Sequence, residues 1–237
     1  MPKLEDQENP ARLEWAAPSL MCMDFLRMRE QLEIISRRAA WAHIDVMDGR
    51  FAPNLTISPD MVRAFRRAVD IPMDAHLMTL EPERWIERFA QAGAVAITLH
   101  AETISTNAFR LFDRIEALGC APGLALCPAT TIDSAKHLLE RARLLTIMTV
   151  DIGYAGSAFI PQMLSKIEEA RAFRERWKLD YTILADGGCG PRTFKALKSA
   201  GADRFVLGSA LFDKTGADEN LDAAFDALAN EYYERVA

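Results

Sequence analysis

Leu144-Leu-Thr-Ile-Met-Thr-Val150 and Tyr181-Thr-Ile-Leu-Ala-Asp186 are two apolar runs of strand length, and between them Pro161 opens an amphipathic stretch, Gln162–Trp177. Proline is favoured in the first helical turn, where its missing N–H costs nothing. A strand that is apolar on both faces, followed by a helix and a second such strand, predicts parallel strands with covered faces. The same pattern continues outward in both directions. Further runs occupy Trp15–Leu20, Ala42–Met47, Pro72–Leu77, Ala94–His100, Ala121–Cys127 and Arg204–Ala210, which makes eight in all. Each is bounded by Gly, Pro, Asn or Asp.

The segments between them carry helical signals. Asp24–Arg38 has Phe25, Met28, Leu32 and Ile35 at helical spacing, and Glu81–Ala92 has Trp85, Phe89 and Ala92. Pro191 opens another helix, and the pairs Ala92-Gly93 and Ala200-Gly201 end helices where glycine accepts a left-handed cap. Eight strand–helix units predict an α/β chain folded as a single closed (β/α)8 TIM barrel. A doubly wound open sheet is the alternative, but no G-x-G-x-x-G follows the first run.

The 237 residues are 50% hydrophobic and 26% charged, enough to build a sizeable core. Residues 1–14 read as a polar tail and 15–237 as the barrel, with about 28 residues per unit and no room for large inserted lids. Net charge is −6 with no basic block, so nucleic acid is not an expected partner. There is no run of 18 apolar residues to cross a membrane. The first residues lack the apolar stretch of an export signal, and Cys22, Cys120, Cys127 and Cys189 form no C-x-x-C pair. Reduced thiols in a cytoplasmic protein are expected, with Cys120 and Cys127 buried.

In a barrel of this class, chemistry gathers at the C-terminal ends of the strands. His43 and Asp45 are two apart in Trp41-Ala-His-Ile-Asp-Val-Met-Asp-Gly49 and so face the same side. His76 ends the third run, in Asp74-Ala-His-Leu-Met78, and Asp186 ends the seventh. Each alone reads as a satisfied buried residue. Together, two imidazoles and two carboxylates at one barrel mouth suit a divalent metal with open positions. His100 reads as a substrate-side or supporting residue, and His137 as a surface residue.

Glycines make a second set: Gly153-Tyr154-Ala155-Gly156 after the sixth run, Gly187-Gly188 after the seventh, and Gly208-Ser209 at the eighth. One such pair is merely a turn. Three glycine loops on adjacent strands let backbone N–H groups approach a phosphate. The seven lysines are Lys3, Lys136, Lys166, Lys178, Lys195, Lys198 and Lys214, none at the C-terminal end of a strand, which argues against imine chemistry.

Several stretches together resemble the ribulose-phosphate 3-epimerase family. They are Ala17-Pro-Ser-Leu20, His43-Ile-Asp-Val-Met-Asp-Gly-Arg-Phe-Ala-Pro-Asn54, Asp74-Ala-His-Leu-Met78, Val150-Asp-Ile-Gly-Tyr-Ala-Gly156 and Asp186-Gly-Gly188. The likeness runs from about Trp15 to Glu231. Ser19-Leu-Met-Cys-Met-Asp24, Thr98-Leu-His-Ala-Glu-Thr-Ile104, Met148-Thr-Val-Asp151 and Cys189 look most similar to the D-allulose-6-phosphate 3-epimerase branch. Pentulose enzymes more often read S-I-L-S-A-D at the first stretch and Asn at the position of Asp151. Departures from the family pattern are Ile152 for a usual proline, Tyr154 for phenylalanine and Ala185 for valine; Ala75 is also small.

The resemblance implies a homo-oligomeric enzyme that inverts carbon 3 of a ketose phosphate. The expected reaction interconverts D-allulose 6-phosphate and D-fructose 6-phosphate, with D-ribulose 5-phosphate to D-xylulose 5-phosphate as the alternative. It implies one divalent ion (Zn, Fe, Co or Mn) on His43, Asp45, His76 and Asp186, and substrate contact from Ser19. The glycine loops would hold the phosphate. Met47, Met78 and Met148 would shield a cis-enediolate from water, although core packing explains Met148 nearly as well. Asp45 and Asp186 would then serve as paired acid and base. A non-catalytic sugar-phosphate sensor and a metal-dependent aldolase are weaker readings, because every ligand position is present and paired carboxylates suit proton transfer.

Overall fold

A computed structural model describes residues 12–213 and 220–236. Eight strands, β1 Ala16–Pro18, β2 Ala42–Met47, β3 Met73–Met78, β4 Ala96–His100, β5 Ala121–Leu126, β6 Leu144–Met148, β7 Thr182–Asp186 and β8 Arg204–Leu207, form one sheet in the order β1-β8-β7-β6-β5-β4-β3-β2. All seven ladders are parallel. The sheet curls until Ser19 bridges to His43, which brings β1 alongside β2 and closes the barrel. The chain is a single (β/α)8 barrel, as the alternation of runs predicts.

The outer layer comprises α1 Met28–Arg38, α2 Pro59–Ala68, α3 Ile86–Ala92, α4 Ala108–Ala117, α5 Ile132–Leu139, α6 Met163–Trp177, α7 Phe194–Ala200, the short α8 Ser209–Phe212, and α9 Leu221–Val236. Alternation along each strand sorts the side chains. Ile44 and Val46 of β2, Leu77 of β3 and Ile97 and Leu99 of β4 join the large core under the helices. His43, Asp45, His76 and Thr98 occupy the intervening positions and are buried within the barrel. The interior is tight: a Cβ on Gly123 of β5 would meet Thr98 Oγ1 at 2.2 Å. Ala17, Trp41, Ala96, Leu144, Leu184 and Val206 pack together as a separate cluster.

Several expectations shift. Most strands are shorter at their ends than the apolar runs, and β3 runs one residue later than Pro72–Leu77. The helix expected over Asp24–Arg38 starts only at Met28. Asp24 Oδ1 accepts the N–H of Leu26 and makes a local turn, leaving Phe25 57% exposed and off the apolar stripe. Glu81–Ala92 is broken into a 3-10 turn at Pro82–Arg84 and α3, with Trp85 at the junction. Pro191 lies in a turn three residues ahead of α7, not in its first turn. Gly93 and Gly201 do cap α3 and α7 in the left-handed region, at φ 107° and 118°.

Trp41 is buried at 3% exposure and stacks under Arg204, so it offers no surface for association; Trp177 is exposed. Cys127 is only half-buried, whereas Cys120 is buried, and all four cysteines are free thiols. Of the tail, Arg12, Leu13 and Glu14 are described. Leu13 bridges to Ala39 and donates its N–H to Arg38 O, while residues 1–11 lie outside the described residues. Among the described residues, no helix is long and apolar enough to cross a membrane.

Candidate active site

His43 and Asp45 of β2, His76 of β3 and Asp186 of β7 are all buried and meet inside the barrel mouth. His43 Nε2 lies 3.1 Å from His76 Nδ1 and 3.6 Å from both Asp45 Oδ1 and Asp186 Oδ2. His76 Nδ1 lies 3.7 Å from Asp45 Oδ1 and 3.3 Å from Asp186 Oδ2. A tetrahedral centre with metal–ligand bonds of about 2.0–2.2 Å has edges of about 3.3–3.6 Å. The observed spacings bracket that range. Asp186 Oδ2 is buried without a hydrogen-bond donor, an acceptor waiting for a cation. The donor set and its spacing therefore fit a divalent metal ion.

The cluster draws positive charge. Burial alone would lower the His43 imidazole, but Asp45, Asp186 and Asp74 raise it well above its ordinary value. His76 is raised against burial by Asp186 and Asp45. Burial would push the Asp186 carboxyl up, yet the two histidines hold it below the usual carboxylate range.

Neighbours fix the orientation of each group. Ser19 Oγ donates to Asp45 Oδ2 at 2.5 Å. Behind His43, Nδ1 lies 3.2 Å from Asp74 Oδ2, and Thr98 Oγ1 donates to Asp74 Oδ1 at 2.8 Å. Behind His76, Nε2 faces His100 Nε2 at 2.9 Å, and His100 Nδ1 faces Glu102 Oε2 at 3.1 Å. Burial lowers His100 to about 4, with Glu102 opposing. Glu102 falls to about 2, because bonds from His100 and Thr130 outweigh its burial.

Above the four ligating side chains opens a cavity of about 480 Å³. Its floor carries Ser19, Asp45, Asp186 and three methionines, Met47, Met78 and Met148, each of them buried. Its wall is made by the three glycine loops: Gly153-Tyr154-Ala155-Gly156, Gly187-Gly188 and Gly208-Ser209 all line it. Gly187 must be glycine: at φ 111°, a Cβ would sit 2.3 Å from Val150 Cγ2.

The loop after β6 is secured by side chains. Ile152 packs with Met47, Ala52 and Met78, and Tyr154 donates its hydroxyl to Pro53 O at 2.7 Å, tying the loop after β6 to the loop after β2.

The model of the Ribulose-phosphate 3 epimerase family matches residues 15–212. The chain belongs to that family. It is an epimerase, and so an isomerase.

The ribulose-phosphate 3-epimerase of Synechocystis is 40% identical over 199 residues, covering 83% of this chain and 86% of the relative. That of Bacillus subtilis is 37% identical over 201 residues, covering 84% and 92%. Among solved structures, KGPDC from Streptococcus mutans superposes with a TM-score of 0.67 at 13% identity, covering 95% of this chain and 100% of the other. At that identity the likeness shows the fold alone.

Every residue singled out in the sequence as ligand, base or phosphate contact lines or underlies this one cavity. Three features escaped the sequence reading. Asp74 supports a ligand from a position the strand alternation places inward. His100 is paired with Glu102 by the i, i+2 spacing at the end of β4, a signal present in His100-Ala-Glu102. Arg192 is the one basic side chain lining the cavity among the described residues, and it has no ion-pair partner among them. It lies in a turn ahead of α7, where no periodicity points to it. His137 is exposed on α5.

Proposed function

We propose that the protein inverts carbon 3 of a phosphorylated ketose, with Asp45 and Asp186 as the two proton-transfer groups. The observation that carries this reading is the convergence of Asp45 Oδ1 and Asp186 Oδ2 with two imidazole nitrogens, all within 4.8 Å of one another, at the floor of the cavity.

A divalent ion (Zn, Fe, Co or Mn) held by His43, Asp45, His76 and Asp186 would supply Lewis-acid stabilisation of the negative charge developing beside the ketone. Asp45, its second oxygen held by Ser19, takes the proton from carbon 3 on one face. That leaves a cis-enediolate of the sugar. Asp186, held ionised by the two histidines at rest, becomes the acid by taking up that proton, shared across the pair from Asp45, and delivers it to the opposite face; the roles exchange in the reverse direction. Met47, Met78 and Met148 give the intermediate an apolar, non-acidic surround and exclude water that would reprotonate it. Backbone N–H groups of the glycine loops and the Ser209 hydroxyl receive the phosphate.

The names of the curated relatives support D-ribulose 5-phosphate and D-xylulose 5-phosphate as the substrate pair. A second reading, D-allulose 6-phosphate and D-fructose 6-phosphate, draws on residues that differ from the common pentulose pattern. Of these, Met21, Cys22, Asp151 and Cys189 line the cavity, where they bear on substrate length. One extra carbon is worth about 1–3 kcal/mol of discrimination.

The test is kcat/KM on D-ribulose 5-phosphate against D-allulose 6-phosphate, with solvent deuterium followed into carbon 3. Incorporation into either sugar establishes the proton-transfer chemistry, and the larger kcat/KM assigns the substrate. Tight sugar-phosphate binding without exchange would replace the enzyme reading with a sensor.

A further inference from the structure

The pair His100 and Glu102 is not accounted for by proton transfer or by phosphate binding. His100 is fully buried, its ring stacked on His76 with centroids 4.9 Å apart, and it has no surface of its own on the cavity. Nε2 faces His76 Nε2 at 2.9 Å, and Nδ1 faces Glu102 Oε2 at 3.1 Å, with the Cys127 thiol also within reach at 3.4 Å.

The direction of this chain of bonds follows from its outer end. A carboxylate only accepts, so the nitrogen facing Glu102 must carry the hydrogen. His100 is then Nδ1–H, with a bare lone pair at Nε2. That lone pair needs a donor, and the atom opposite it is His76 Nε2, which must therefore carry its hydrogen. The remaining nitrogen of a neutral His76, Nδ1, is left with its lone pair directed at His43, Asp45 and Asp186. Reversing the chain would set two acceptors against each other at Glu102 and put a hydrogen on the inward atom of His76.

Glu102 is itself held firmly. Its Oε1 accepts the Cys127 N–H at 2.8 Å and the Thr130 hydroxyl. The backbone that supplies those donors is pinned from below by Lys166 of α6, whose Nζ donates to Cys127 O at 2.9 Å and Pro128 O at 2.8 Å. This gives a purpose to a buried lysine that the chemistry otherwise leaves idle.

We infer that Glu102 and His100 form a positioning relay that fixes the tautomer and ring orientation of His76, so that its Nδ1 is presented as a metal ligand. His43 is backed directly by Asp74, whereas His76 is backed by a carboxylate acting through a second imidazole. Outer partners of this kind affect metal affinity by about 10–100-fold. The inference rests on the metal reading above.

The experiment measures Zn²⁺ affinity of the full-length apoprotein by chelator competition, and the d–d absorption of the Co²⁺ form, for wild type, His100→Phe, His100→Gln and Glu102→Ala. His100→Phe keeps the aromatic stacking but removes the acceptor, and it should weaken binding by about 10–100-fold and alter the Co²⁺ spectrum. His100→Gln restores an acceptor and should recover most of the affinity.

Glu102→Ala, at the solvent-facing end of the relay, tests the same idea should the Phe variant fail to fold, and should also weaken binding at least tenfold. Wild-type affinity and spectrum in both His100→Phe and Glu102→Ala would overturn the relay while leaving the metal reading standing. A wild-type protein that binds neither ion would overturn both.

Discussion

His43 Nε2 and His76 Nδ1 face each other at 3.1 Å, although they come from adjacent strands in a register that pairs His43 with Asp74 and Asp45 with His76. Two imidazole nitrogens turned inward, with Asp186 Oδ2 lacking a donor beside them, make a site whose stability depends on a shared positive charge. Removing the metal should therefore cost both activity and stability. Protein purified without chelator should carry about one equivalent of a divalent transition metal by elemental analysis. Chelation should lower the Tm, since a ligand at a hundred times its Kd stabilises by about 2.7 kcal/mol. Full activity and an unchanged Tm with less than about a tenth of an equivalent bound would refute the metal site.

Asp45→Asn and Asp186→Asn should each lower kcat by about 10²-fold or more, the usual contribution of a positioned acid or base. Both side chains are buried and nearly isosteric with their replacements, so circular dichroism should be unchanged. Turnover near wild type in either variant would end the two-carboxylate scheme.

Arg192 stands beside the glycine loops with no ion-pair partner among the described residues, and the other charged residues lining the cavity are Asp45, Asp151 and Asp186. It is exposed, so its pull on a phosphate is screened and worth on the order of 1 kcal/mol. Arg192→Gln should raise KM by about 3–10-fold, with a smaller effect on kcat. The difference from wild type should shrink as ionic strength rises. A KM unchanged at low salt would remove Arg192 from the anion site.

Tyr154→Phe deletes the hydroxyl that bonds Pro53 O and leaves the ring in place. Loss of one hydrogen bond is worth about 0.5–1.5 kcal/mol, so kcat/KM should fall by about 2–10-fold. Amide hydrogen exchange over residues 151–158 should quicken. Unaltered exchange would show that Ile152 alone secures this loop.

The barrel was legible because each strand is covered on both sides, which makes it an apolar run that stands out from the amphipathic helices around it. The four ligating residues were legible for a related reason: polar side chains at the ends of otherwise apolar runs, sorted by the rule that chemistry sits at that end. The misreadings have local causes. Phe25 continues a helical spacing that Asp24 interrupts with its own turn, and Pro191 begins a turn and not a helix.

His100 could be seen at a strand end, but its bond to His76 exists only across the β3–β4 register. The link from Glu102 to the backbone of Cys127 crosses from the end of β4 to the end of β5. Such relations between strands have no trace in a one-dimensional pattern.

Seven of the eight junctions around the barrel are continuous ladders. The eighth, between β1 and β2, is fastened by the Ser19–His43 bridge and the bond from Ser19 to Asp45. The clasp of the hoop is thus made from the reaction centre itself. A ligand held by His43 and Asp45 would therefore tighten the hoop as well, and its loss should loosen the β1–β2 junction first.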